Sequence, residues 1–189
     1  LQAMRSGAGE DCELMMDANF HFRTEGFRRL ADAIAPFDIA LLEIDTHDPD
    51  ALASLRRMSP CPIASCETLC GRREFKRYLE LYAVDVPIID VVWNGLAESL
   101  KIAAMAECYE MNVAPHNYRG HLATMMAGHF GAVAPNLRTM EFDVERVPWL
   151  DDYFTAVPEW KDGHMIVPGA PGWGIDVNEA AVRARPARN

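Results

Sequence analysis

The sequence predicts an α/β chain organised around a parallel sheet. Two observations carry this. Short apolar runs alternate with amphipathic stretches of helical length, and the connections between them are brief, the pattern of repeated βαβ units. The runs are also apolar almost throughout, as in strands covered by helices or closed into a barrel.

Taken in order, residues 13–20 (ELMMDANF) read as a strand. The helix over 24–37 opens at Thr24, with Glu25 in its first turn. Residues 39–45 (IALLEID) form a buried strand. A helix over 48–58 follows, with Asp48 as cap and Pro49 at its first position. The strand over 62–68 (PIASCET) precedes a helix over 73–83, and the strand over 86–93 (VPIIDVVW) precedes a helix over 96–111. Residues 112–117 (NVAPHN) make a short strand, 121–134 a helix, and 137–143 (LRTMEFD) a sixth strand. From about Val144 the chain is rich in Pro and Gly and reads as irregular, folded over a surface. The resulting division is a parallel α/β unit over 1–143, which the resemblance below makes a partial barrel, and a tail over 144–189.

Composition narrows the function. The 189 residues hold 18 Lys+Arg against 28 Asp+Glu, a net charge of −10, with 50% apolar residues. No basic surplus exists to neutralise nucleic-acid phosphates or anionic lipid. No apolar run approaches the roughly 18 residues of a membrane span, and the first residues lack the form of a secretory signal. Five cysteines, an odd number, give no disulfide framework, so a cytoplasmic setting is expected. Cys61, Cys66 and Cys70 lack paired zinc-ligand spacing and are expected to be buried thiols.

Each expected strand carries one ionisable residue at or near its C-terminal end: Asp17, Glu43, Glu67, Asp90, His116 and Glu141. The steps between them are 26, 24, 23, 26 and 25 residues. So even a register places one such residue per βα unit on a common rim, where barrel enzymes assemble their sites. Three carboxylates converging on one point repel one another unless a cation lies between them. Magnesium suits such a set because it prefers octahedral oxygen coordination. Asp90 and His116 lie on adjacent strands, where a carboxylate fixes an imidazole's tautomer and raises its basicity. Glu141, if protonated, can donate a hydrogen bond to a developing oxyanion. His47, among Asp45, Asp48 and Asp50, is assigned to helix-capping surroundings rather than to a metal site. His121 and His129 read as packing or surface residues.

The strings ELMMDAN, ALLEID, PIASCET, the long run from VPIID to APHN, PNLRTMEF and PGAPGWGIDVNE resemble the enolase superfamily, in its mandelate racemase and muconate lactonizing branch. The resemblance covers nearly the whole chain. It implies an incomplete TIM-type (β/α) barrel, strands 3 to 8 with a C-terminal tail, lacking the capping domain and first two strands, so that the 189 residues are a piece of a longer polypeptide. It implies Asp17, Glu43 and Glu67 as Mg2+ ligands, Asp90 and His116 as a dyad, and Glu141 as a hydrogen-bond donor. Asn19 stands where galactonate-type dehydratases tend to have histidine, and His21 lies two residues on; both are candidate substrate-binding residues. Glu43 is followed by Ile44 and Asp45 where the family commonly shows Glu-Pro, and Asn94-Gly95 replaces Gly-Gly.

The implied activity is that of a hydro-lyase: Mg2+-dependent removal of the proton α to a carboxylate, with dehydration of a sugar acid to a 2-keto-3-deoxy acid. The alternatives are a racemase or epimerase of a 2-hydroxy acid, or an inactive piece of such an enzyme. A metal-dependent hydrolase on the same kind of barrel also stays open. The expected partner is a small carboxylate substrate. Members of this branch are often homo-oligomeric, although no segment here marks an interface.

Overall fold

A computed structural model of the chain describes residues 1–144 and 147–185; residues 145–146 and 186–189, which belong to the expected tail, lie outside the described residues. Five strands, β1 (Leu14–Asp17), β2 (Ile39–Glu43), β3 (Ile63–Ser65), β4 (Val86–Asp90) and β5 (Ala114–His116), pair in parallel in sequence order. Helix α1 (Gln2–Ala8) precedes them. Helices α2 (Thr24–Ile34), α3 (Pro49–Met58), α4 (Arg72–Glu80) and α5 (Val91–Glu107) connect successive strands, and α6 (His121–Val133) follows β5. Among the described residues, no helix is long and apolar enough to cross a membrane.

Strand alternation sorts the apolar side chains onto two faces. Leu42, Ile89 and Val113 join Phe27, Phe75, Leu79, Ile102 and Phe130 in the core beneath the helices. Leu41, Ala64, Val86, Ile88 and Ala114 form a second, smaller cluster. Each fully buried Leu, Ile or Phe contributes about 1.5–3 kcal/mol of apolar transfer, so the helix-side core dominates the stability.

The sheet is strongly curled. Arg138, in the segment that follows α6 and bridges to Val113 just before β5, donates from Nη2 to the Ala40 carbonyl of β2 at 3.0 Å. In a flat sheet those positions would be separated by four strand spacings, about 19 Å, beyond the length of an arginine side chain. The fold is therefore an α/β half-barrel, with the second cluster on its concave face.

Several local expectations are corrected. Residues 137–143 do not form a sixth strand; the pairing stops after a single bridge, Val113 to Leu137. Beyond it, side chains take the place of the ladder. Asn117 N–H donates to Glu141 Oε2, and Asn117 Nδ2 donates to the Glu141 carbonyl at 3.1 Å. Residues 91–93 belong to α5 rather than to β4, because Asp90 caps the helix by accepting Trp93 N–H at 2.9 Å. The helix is interrupted at Gly95, whose φ of 70° and ψ of 156° suit glycine alone. Thr24 begins α2, but no side chain caps it. Asp48 caps α3 as expected, accepting from the N–H groups of Asp50 and Ala51.

The tail contains order that composition alone did not reveal. Strands β6 (Glu159–Lys161) and β7 (His164–Ile166) form a hairpin through Asp162 and Gly163, and α7 (Glu179–Ala184) follows. Met165 lies against Gly128 of α6. His121, buried at the start of α6, pairs through Nε2 with Asp151 at 2.6 Å. All five cysteines are free. Of the close trio only Cys66 is fully buried, while Cys70 is exposed.

Candidate active site

Parallel pairing places the strand C-termini on one rim. Asp17 and Glu43 are register partners at the ends of β1 and β2, as are Asp90 and His116 at the ends of β4 and β5. Glu67 lies just past β3, reached through Cys66, which adopts a φ of 95°. A non-glycine residue in that region is strained, and such strain concentrates where side-chain direction matters. Glu141 reaches the rim from the segment after α6, anchored through Oε2 by Asn117 N–H.

The acidic end holds a tight group. Asp17, Glu43 and Asp45 each offer an oxygen, and these oxygens all lie within 4.8 Å of one another, so this triad could hold a metal ion. Glu43 feels its surroundings most. Burial, reinforced by the charges of Asp17, Asp45, Glu67 and Glu141, pushes its carboxyl up to about 9. Burial likewise raises Asp45, against the opposing hydrogen bond from Ser65. Among the described residues, Glu43 Oε1 and Asp45 Oδ2 are buried without a hydrogen-bond partner.

Glu67 turns toward the histidine. Its Oε2 lies 3.0 Å from His116 Nε2, and burial raises its carboxyl while His116 opposes that rise. Of the three carboxylates expected to share a cation, the structure thus gathers Asp17 and Glu43 and places Glu67 between that pair and the imidazole.

The Asp90–His116 dyad is formed. His116 Nδ1 lies 2.9 Å from Asp90 Oδ2. The Asp90 side chain is 1% exposed, and Arg119 Nη2 approaches the same oxygen at 3.6 Å. Burial disfavours the charged Asp90, but hydrogen bonds from His116 and Trp93 N–H, with the charges of His116 and Arg119, hold its carboxyl below the usual range. For His116 burial again opposes the charge. The Asp90 hydrogen bond and the charges of Glu67, Glu141 and Asp90 outweigh it and raise the imidazole.

A cavity of about 260 Å³ is lined by Met15, Asp17, Leu41, Glu43, Ile88 and Glu141, among others, so it reaches the acidic end but not the Asp90–His116 dyad. Asn19 sits in the turn after β1 with a φ of 45°, its Oδ1 accepting Phe20 N–H, while its own N–H donates to Asp17 Oδ1 at 2.7 Å. It therefore fixes the Asp17 carboxylate. His21 is exposed and lines a separate cavity of about 650 Å³ with Arg23, Thr46, His47 and Asp45. His47 stacks on Phe20 at 4.8 Å, away from any ligand role in the triad.

Asp45 is the member that sequence reading passed over. Its signal was present: it lies two residues beyond Glu43, and alternate residues of an extended chain share a face.

Fold, curl and rim together define a class. Residues 1–181 match the model of the enolase C-terminal domain-like family, and the chain belongs to that family, within the mandelate racemase and muconate lactonizing branch of the enolase superfamily. Among solved structures it is similar to one from Burkholderia xenovorans strain LB400, described provisionally as an L-alanine-DL-glutamate epimerase and bound to magnesium and fumarate. The TM-score is 0.95 at 49% identity, over 98% of this chain and 46% of that one. It is 27% identical over 187 residues to the D-xylonate dehydratase of Haloferax volcanii, covering 97% of this chain and 45% of that protein. It is 30% identical over 182 residues to the arabinonate dehydratase of Saccharolobus solfataricus, covering 95% and 48%. The chain thus spans a little under half the length of these curated relatives.

Proposed function

We propose that the protein removes the proton α to the carboxylate of a sugar acid and eliminates the β-hydroxyl, giving a 2-keto-3-deoxy acid. The observation that carries this reading is a buried Asp90–His116 dyad facing the same rim as the carboxylates. The sugar-acid dehydratases among its relatives support the substrate class.

The acidic end fits a divalent cation. Glu43 Oε1 is buried and unpartnered, and an uncompensated buried carboxylate is costly unless protonated or bound to a metal. Hard oxygen donors favour Mg2+, and Asp17, Glu43 and Glu67 would hold it. When bound, Mg2+ supplies positive charge that stabilises the negative charge growing on the substrate carboxylate.

This chain's own groups do the rest. Asp90 accepts from His116 Nδ1 and so leaves Nε2 as the basic atom. His116 Nε2 takes the proton from the carbon next to the carboxylate as that C–H bond breaks. Glu141, held through Oε2 by Asn117 N–H, is assigned the hydrogen-bond contact to the developing oxyanion. His116, now cationic and favoured as such by Asp90, returns the proton to the β-hydroxyl, and the C–O bond breaks with loss of water. The resulting enol tautomerises to the keto acid. Asn19 serves here by fixing Asp17, and a substrate contact from His21 would require the substrate to extend into the separate cavity that His21 lines.

A second reading is racemisation or epimerisation, favoured by the provisional epimerase description of the 49% identical structure. The test is incubation of purified protein and Mg2+ with a panel of aldonic and aldaric acids. Keto-acid formation by semicarbazone absorbance is the expected result, and its absence across the panel refutes dehydration. Deuterium exchange at C2 in D2O without keto acid would establish the second reading instead.

A further inference from the structure

We infer that Asp45 is itself a ligand of the divalent cation, contributing Oδ2 beside Asp17 and Glu43. The inference deepens the proposed function and rests on its cation. Asp45 belongs to the segment just beyond β2, and its backbone N–H donates to the Asn19 carbonyl at 3.1 Å, which draws this segment against the turn carrying Asp17. Its side chain is not a loop carboxylate free in solvent: the residue is 3% exposed. One oxygen is already committed. Oδ1 accepts Ser65 Oγ–H at 2.8 Å.

That bond fixes one oxygen of the carboxylate, and Oδ2 is buried with no hydrogen-bond partner among the described residues. Glu43 Oε1 is buried and unpartnered beside it. Two carboxylate oxygens from different residues are thus orphaned, and one oxygen from each of Asp17, Glu43 and Asp45 lies within 4.8 Å of the others; a cation, a shared proton or a water can satisfy them. A shared proton or a bridging water can satisfy both oxygens in the metal-free protein, but neither brings the positive charge that offsets a group of three acids. A divalent ion satisfies both and neutralises charge. Glu67, meanwhile, is paired with the imidazole. Asp45 adds an oxygen to those of Asp17, Glu43 and Glu67, so that with the cation held Glu67 need not stay on His116 Nε2.

The experiment is Mn2+ binding by calorimetry, paired with a crystal structure of the Mn2+-loaded wild-type protein located by anomalous scattering. Asp45→Asn keeps size and shape, so its melting temperature without metal is expected to match or exceed that of wild type, while Mn2+ affinity falls about 10–100-fold. In the loaded crystal, Oδ2 is expected at about 2.0–2.3 Å from the metal. Equal Mn2+ affinity in wild type and Asp45→Asn, or Oδ2 farther than about 3 Å from a bound ion, overturns the inference and leaves the proposed function standing. Wild-type protein that binds no Mn2+ instead removes the cation, and the proposed function fails with it. Should Asp45→Asn not fold, the wild-type crystal decides alone.

Discussion

Replacing Asp90 by asparagine separates its two duties. Asn is as good a helix cap as Asp, so the bond to Trp93 N–H, 2.9 Å in the native chain, should persist and α5 should start where it does now. At the other oxygen the consequence is severe. An amide nitrogen at the place of Oδ2, 2.9 Å from His116 Nδ1, is a donor, so Nδ1 must become the acceptor and the ring proton moves to Nε2. The atom meant to take the substrate proton is then already protonated. Loss of a positioned general base costs about 10²–10⁴ in kcat, equivalent to roughly 3–5.5 kcal/mol of barrier, with KM little changed. Folding stability should fall by only about 1–3 kcal/mol, the worth of a charge-assisted bond. Steady-state kinetics on whichever sugar acid proves to be a substrate reads the first effect. An NMR titration of the His116 ring, whose pKa is held up by Asp90, reads the second and should shift downward. A folded Asp90→Asn protein with near-native kcat, or an unmoved imidazole titration, would refute the role given to the dyad.

Three other outcomes are expected. Because Glu43 is raised to about 9 and is therefore neutral near pH 7, Glu43→Gln should change metal-free stability by less than about 1 kcal/mol yet abolish Mn2+ binding, read by melting with and without the ion. Gly95→Ala meets no neighbouring atom, so its whole cost is the backbone at φ 70°, about 1–3 kcal/mol by denaturant titration. The Asp90–His116 pair sets a stability window in the metal-free protein. The lowered Asp90 contributes fully above its ordinary value of 3.8 and loses that contribution as pH falls through its folded value. The raised His116 contributes fully below 6.5 and loses it as pH rises through its folded value. The pair should therefore stabilise most between 3.8 and 6.5, and His116→Asn should flatten melting temperature against pH on both sides.

The five strands and their intervening helices were legible because each apolar run is long enough to fill a buried strand and each helix carries a clear apolar stripe. Residues 91–93 were misread since Val91, Val92 and Trp93 have strong strand preference; a single carboxylate, Asp90, overrides it by capping a helix there. The segment over 137–143 has the composition of a strand, but its ladder position is taken by the side chains of Asn117 and Glu141, a tertiary effect no local pattern reveals. The hairpin in the tail was readable in principle. Asp162-Gly163 is a strong two-residue turn signal, and both residues adopt positive φ, 50° and 76°. At the site, even spacing gave the strand-end positions. It could not show that Asp45 joins Asp17 and Glu43, because that depends on Ser65 fixing one carboxylate from the next strand.

The bond from Arg138 to the Ala40 carbonyl has a mechanical consequence. It crosses the half-barrel near the first residues of β2, whereas Glu43 stands at the far end of that strand, three residues or about 10 Å away. Strands packed beneath helices behave as stiff staves, so the chord tied at the foot determines how widely the top can gape. Cutting the tie, as in Arg138→Leu, should splay the upper ends and part groups that never touched the arginine. Grip on a cation would then be governed from the floor of the molecule as much as from its acids.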